Sequence, residues 1–326
     1  MKKLMMSSLF AMAMAAPAIA APQFAVEVSQ PTVNKLLSSA SGIVATEGRL
    51  YAIGDDAMWF YTLGPEFNIA EKALIKRYPV KENGRIKKKV KPDFEAMAEI
   101  DYHGQTAFLL LGSGSKEKVR EWGFIMTADN QLKVERSMAP LYKQLYQAAG
   151  FSGDQELNIE GLAVANDKAF ILNRGNSGTN VIFSIESDKL LAYMKGESQQ
   201  LNNIQVYPVT LPVLDGFEAG LSGAEYWPEA NSLIYSASIE ATGDAYNDGE
   251  ILGSYVGVVA LSDLKAGVMN DLSSQTEAIF ADGKRVITKV ESVGIKQSTK
   301  GKVTGVLASD NDDGTSEFFN FTLNAK

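Results

Sequence analysis

Short apolar runs separated by polar or glycine-containing breaks recur along almost the whole chain, and they recur in a fixed order. Five stretches read apolar, then Glu or Ser, then small, then apolar: "ASGIV" from Ala40, "FEAMA" from Phe94, "IEGLA" from Ile159, "LSGAE" from Leu221 and "VESVG" from Val290. The Glu-or-Ser position falls at Ser41, Glu95, Glu160, Ser222 and Glu291, at spacings of 54, 65, 62 and 69. Each stretch leads into a β-rich run that ends in small or polar residues: "LYAIGDD", "AFLLLGSGS", "AFILNRGN", "LIYSASIE" and "VTGVLASDND". A third strand candidate follows in every unit: "WFYTL", "WGFIM", "VIFSI", "YVGVVAL" and "FFNFTL". More polar outer strands are expected at "LIKRYPV", "QLKVERS" and "IQVYPVTL".

Three or four short strands in units of roughly sixty residues describe the blades of a β-propeller. The expected fold is therefore an all-β propeller of five blades. Six is the alternative, with the extra blade in segment 185–221. The last unit stops after its third strand at Leu323, while Phe24–Val33 precedes the first unit with no partner in it. Completing the last blade with that N-terminal strand closes the ring and removes its exposed edges. One helix is expected over 138–149, inserted between the second and third units. Ser137 can cap it, Pro140 lies in its first turn, Leu141, Leu145 and Ala148 share a face, and Gly150 can end it.

In this architecture the first strand of each blade lines the axis and the second runs antiparallel beside it. The start of one and the end of the other then meet at one rim. Glu95, Glu160 and Glu291, with Ser41 and Ser222, form a ring there, surrounded by Asp55, Ser113, Asn173, Arg174, Glu240 and Asp310 from the second strands. The segment Ser238–Ser254 adds Asp248 and Glu250 to the same face, and Arg120 comes from "GSGSKEKVREW", a glycine-rich loop able to receive an anion. The expected ligand-contacting set is thus Arg174, Ser113, Arg120, Glu240, Asp248 and Glu250. His103 belongs to a turn at the opposite rim.

Converging carboxylates repel, and each costs several kcal/mol to keep ionised without compensation. Three arrangements relieve them: hydrogen bonding within the scaffold, an ion-pair network centred on Arg174, or a bound hard cation. Calcium suits the last, because it takes six to eight oxygen ligands. Softer metals are disfavoured, since the chain has no cysteine and His103 is its only histidine.

Composition narrows the setting. "MKKLMMSSLFAMAMAAPAIA" has a basic start, a short apolar run and an Ala-Ile-Ala end, the layout of a secretory signal peptide. Residues 21–326 are then one exported domain, periplasmic or secreted. Loss of Lys2 and Lys3 takes the formal charge from −8 to −10, which excludes nucleic acid and anionic membrane as natural partners. Nothing later in the chain is apolar enough to span a bilayer, and a monomer is expected. The basic run "GRIKKKVK" (Gly84–Lys91) reads as a solvated loop.

On "IEGLA…ILNRGN" (Ile159–Asn176), "DFEAM" (Asp93–Met97) and the Asp-Gly-Glu of "YNDGEILGS", the chain resembles exported bacterial β-propellers. These are the phytase-like and esterase-like propellers and related families of unassigned function. More distantly it is similar to the gluconolactonase/regucalcin/paraoxonase group. The latter resemblance implies a calcium in the central channel, held by the Glu of an "EG" motif with Asn and Asp from other blades. Glu160 matches that Glu, Glu95 and Glu291 are its equivalents, and Asn173, Asp55 and Asp310 supply further oxygens. Two units carry Ser in place of Glu and no histidine pair exists, which counts against lactonase activity more than against ion binding. Two functions stay open: a scaffold that binds a small molecule or protein at the channel mouth, and a calcium-dependent hydrolase of phosphate esters, lactones or small esters.

Overall fold

The computed structural model describes residues 23–176, 178–241 and 249–326; the expected signal peptide, residues 1–20, and Asp248 lie outside them. Strands dominate, and they are arranged as a propeller. Ala40–Thr46, Arg49–Gly54, Trp59–Leu63 and Ile69–Leu74 form one antiparallel sheet in chain order. Phe94–Asp101, Thr106–Gly112, Trp122–Thr127 and Leu132–Ser137 form the next. A third begins with Ile159–Ala165, Lys168–Asn173, Asn180–Glu186 and Gln205–Thr210, and a fourth with Gly220–Trp227, Ser232–Glu240 and Ile251–Ala260. The last runs Lys289–Thr299, Lys302–Asp310 and Ser316–Ala325, and the N-terminal strand Phe24–Val28 completes it, antiparallel to Ser316–Ala325. The first strands of these sheets pack side by side in a closed circuit, the last against the first.

The middle strands are apolar on both faces, which explains why they read as runs rather than as alternations. In the second sheet Ala107, Leu109 and Leu111 join a core shared with the third sheet, while Phe108 and Leu110 face the first. Leu50 and Ala52 likewise pack toward the last sheet, and Tyr51 and Ile53 toward the second. The apolar core is therefore a set of seams between neighbouring sheets. The tilted ring contact of Tyr51 with Phe108, with centroids 4.5 Å apart, belongs to one of them.

The expected helix spans Ala139–Ala148 and buries Leu141, Tyr142 and Leu145. Gly150, at φ 69°, ends it in the left-handed conformation that glycine adopts without penalty. Segment 185–221 forms a second helix, Ser187–Met194, the outer strand Gln205–Thr210, and a ribbon of Val213–Leu214 with Phe217–Glu218. No further four-stranded sheet arises there.

Candidate metal centre at the axial mouth

The recurring Glu-or-Ser is a β-bulge in every unit. Ala40 pairs Gly54 and Gly42 pairs Ile53, leaving Ser41 as the extra residue. Glu95, Glu160 and Glu291 are extra in the same way, between Phe94 and Ala96, Ile159 and Gly161, and Val290 and Ser292. The fourth unit shifts between Leu221 and Ala224, around Ser222 and Gly223. A bulge takes one residue out of the ladder and re-aims its side chain. Here it turns the side chain from the seams toward the axis. The small residue behind each bulge is needed because neighbouring inner strands approach closely there: a Cβ on Gly223 would lie 2.6 Å from Ser292 Cα.

Glu and Ser do different work at this position. Ser41 Oγ donates to the carbonyl of Phe94, and Ser222 Oγ donates to that of Val290 at 2.8 Å, so each serine clamps the residue before a glutamate in another unit. The glutamates converge. One carboxylate oxygen each of Glu95, Glu160 and Glu291 lies within 4.8 Å of the other two, and Asp55, Asp93 and Glu95 form a second such cluster sharing Glu95. The three glutamates are 7 %, 6 % and 2 % exposed.

A further ring lies two residues earlier along the inner strands. Asp93 accepts from Lys91 at 2.7 Å, from Arg120 at 2.6 Å and from Ser113 Oγ at 2.5 Å. Asn158 Nδ2 donates to Glu160 Oε1 at 2.6 Å, and Lys289 Nζ lies 2.8 Å from Glu291 Oε1. These residues stand two positions before the glutamates, at or just before the start of their inner strands, a recurrence present in the sequence but read only at the glutamates.

Of the remaining expected residues, Asp310, Arg120, Glu240 and Asp55 line, with Glu95 and Glu160, a cavity of about 250 Å³. Arg174 is fully buried behind it, bonded to Asn176 at 2.6 Å and to Glu240 at 3.3 Å. Ser113 supports Asp93 from beneath. Asn173 does not reach the cavity; its side chain accepts from Asn158 N at 2.7 Å and donates to Arg174 O at 3.1 Å, fixing the strand pair instead. Glu250 is exposed, and its carbonyl accepts from Ala241 N. His103 sits in the turn after Asp101, at the far end of the hairpin that starts with Glu95.

The basic run is a solvated loop only in part: Gly84 and Lys87–Lys89 are exposed, while its other residues dock. It folds over the acidic floor: Ile86 is buried and its N–H donates to Asp56 O at 2.8 Å, Arg85 pairs with Asp56, and Lys91 pairs with Asp55. The floor beneath supplies the counter-charge that the run lacks when read alone.

Burial, then the charges of Asp93, Glu160, Glu291 and Asp55, push Glu95 well above the ordinary carboxylate range. Burial also raises Glu291 against the pull of Lys289, and Glu160 against Arg174 and Lys289. Burial and Asp55 push Asp310 up to about 8. Asp93 goes the other way: burial opposes its ionisation, but Lys91 and Arg120 hold it below the usual value. Lys289 stays well above its ordinary range despite burial, through Glu291, with Glu160 and Glu240 adding to it.

The cluster fits a hard cation. All its donors are oxygens, and Glu95 Oε2, Glu291 Oε2 and Asp55 Oδ1 are buried with no hydrogen-bond partner, a costly state for a carboxylate that a metal ion relieves.

Residues 36–323 match a family of unknown function, DUF6929. The chain belongs to that family. No curated protein matches this DUF6929 chain. Among solved structures, it is similar to glutaminyl cyclase from Myxococcus xanthus (11 % identity, TM-score 0.47, covering 92 % of this chain and 97 % of that one). It is similar also to the arabinanase Arb43A from Bacillus subtilis (11 %, TM-score 0.43, 90 % and 94 %) and to virginiamycin B lyase from Staphylococcus aureus (10 %, TM-score 0.35, 92 % and 99 %). Likeness of this order carries no argument about chemistry.

Proposed function

We propose that this DUF6929 chain is a five-bladed propeller whose axial Glu95–Glu160–Glu291 cluster holds one calcium ion, and that the ion-bearing mouth binds a small ligand or protein partner in the cell envelope. The observation that carries this is the convergence of three buried carboxylates within 4.8 Å, two of which, Glu95 and Glu291, each keep a buried oxygen, Oε2, without a hydrogen-bond partner. Each of the five larger sheets is read as a blade. Export rests on the character of residues 1–20; no helix among the described residues is long and apolar enough to cross a membrane. Glu160 accepts from Asn158 and keeps its orientation, so the ion would meet a preset donor. The cavity of about 250 Å³ has room beside the ion for a small polar group, with Arg85, Arg120 and Glu240 on its walls.

One observation favours the hydrolase reading. Asp310 lines the same cavity with its carboxyl pushed up to about 8, where a carboxylic acid can give and take protons near neutrality. Metal analysis of the purified chain, followed by assays on phosphoesters, aryl esters and lactones with and without calcium, separates the two. Bound calcium with no turnover supports the binding scaffold. Calcium-dependent turnover abolished in Asp310→Asn supports the hydrolase, and absence of any bound cation contradicts both.

A further inference from the structure

The two carboxylate clusters share Glu95 but are not compensated alike. In the Glu95–Glu160–Glu291 cluster Lys289 bonds one carboxylate, that of Glu291; both clusters keep two buried oxygens without a partner, Glu95 Oε2 being common to them, so the difference lies in the cations. In the Asp55–Asp93–Glu95 cluster, the Lys91 ammonium bonds both Asp55 and Asp93. A primary ammonium has the charge and donor number to stand in for part of a metal ion's role among carboxylates.

The local backbone holds Lys91 there. Pro92 follows it and restricts it to extended conformations, which it adopts at φ −62° and ψ 122°. Asp93 then turns at φ 58°, a conformation few residues other than glycine adopt, placing its carboxylate against the lysine from its own strand. The segment before Lys91 is docked through Ile86 and Arg85, which fixes the backbone from which the ammonium reaches the cluster.

We propose that Lys91 is a built-in cation that fills the Asp55–Asp93–Glu95 cluster, so that the pocket takes one divalent ion and not two, and that removing its ammonium opens a second divalent-cation site. The proposal deepens the reading above, since the single ion is the one assigned to Glu95–Glu160–Glu291. Asp55 Oδ1 is already buried and unpartnered while Oδ2 bonds Lys91, so the carboxylate has a free donor for that second ion.

Native mass spectrometry of the full mature chain, stripped with a chelator and titrated with calcium, reads the stoichiometry directly. The wild type is expected to hold one ion, Lys91→Met two, and Lys91→Met with Asp55→Asn one again. Lys91→Arg, which keeps the charge, is expected to stay at one. Two ions on the wild type, or a folded Lys91→Met that holds no more ions than the wild type, overturn the proposal. Should Lys91→Met not fold, Lys91→Gln refolded in calcium replaces it, and the wild-type count still decides. A wild type that holds none beside a Lys91→Met chain that holds one contradicts the Glu95–Glu160–Glu291 assignment while upholding the role of Lys91.

Discussion

Arg174 occupies the space that a side chain at Gly220 would need: a Cβ there would lie 2.6 Å from Arg174 Cγ and 2.8 Å from its Nε. Gly220 holds, in the fourth inner strand, the place that Asp93, Asn158 and Lys289 hold in theirs. The arginine thus leaves its own sheet and fills the missing side chain's position, where it meets Glu240.

Gly220→Ala is therefore expected to destabilise the fold by about 1–3 kcal/mol through overpacking. Thermal melting of Gly220→Ala, Arg174→Ala and the double variant checks it. The double variant should fall well short of the sum of the singles, because alanine at 220 meets no clash once the arginine stem is gone.

Without metal, stability should fall as pH rises from about 5 toward 8. Glu95, Glu160, Glu291 and Asp310 have folded-state values above their unfolded ones. Their neutral forms favour the folded state below the unfolded value, and that advantage is lost as pH climbs through the folded value, about 8 for Asp310. Asp93, held low, acts oppositely in a more acidic window. Melting curves across this range should slope downward in chelator and flatten in calcium. Calcium binding at pH 6 should release protons, seen as a buffer-dependent heat in calorimetry.

The elements legible in the sequence were those written in every unit. The repeat, the closing strand expected over Phe24–Val33 and found as Phe24–Val28 and Thr32–Asn34, and the Glu-or-Ser ring all follow from one periodic signal, because each unit meets the same packing problem at the same place. What escaped was written once. Lys91 joins the centre only because the segment before it folds back, and Asn173 turns to the backbone because Asn158 N needs an acceptor. The division of labour between Ser and Glu at the bulges depends on which carbonyl the neighbouring unit presents, a relation between strands that no single stretch contains.

Ser222→Ala removes the clamp on Val290 and leaves a buried carbonyl without it. The expected cost is about 1 kcal/mol of stability. Because the serine does not touch the cluster oxygens, calcium affinity should stay within about twofold of wild type, measured by titration calorimetry on the same sample.

Lys289 Nζ lies 2.8 Å from Glu291 Oε1, where it would compete with the proposed ion. Lys289→Met should tighten calcium about tenfold, equivalent to about 1.4 kcal/mol, while lowering the melting temperature of the metal-free chain. A loss of affinity in that variant would mean that Lys289 orients Glu291 for the ion.

The central claim is that three glutamates from distant units share one cation. Its most direct measurement is the melting temperature of the chelator-stripped chain against calcium, beside Glu95→Gln. A hundredfold excess over Kd should stabilise the wild type by about 2.7 kcal/mol, several degrees, and Glu95→Gln should show little of that rise. A melting temperature that ignores calcium in the wild type, or rises equally in Glu95→Gln, would contradict the account.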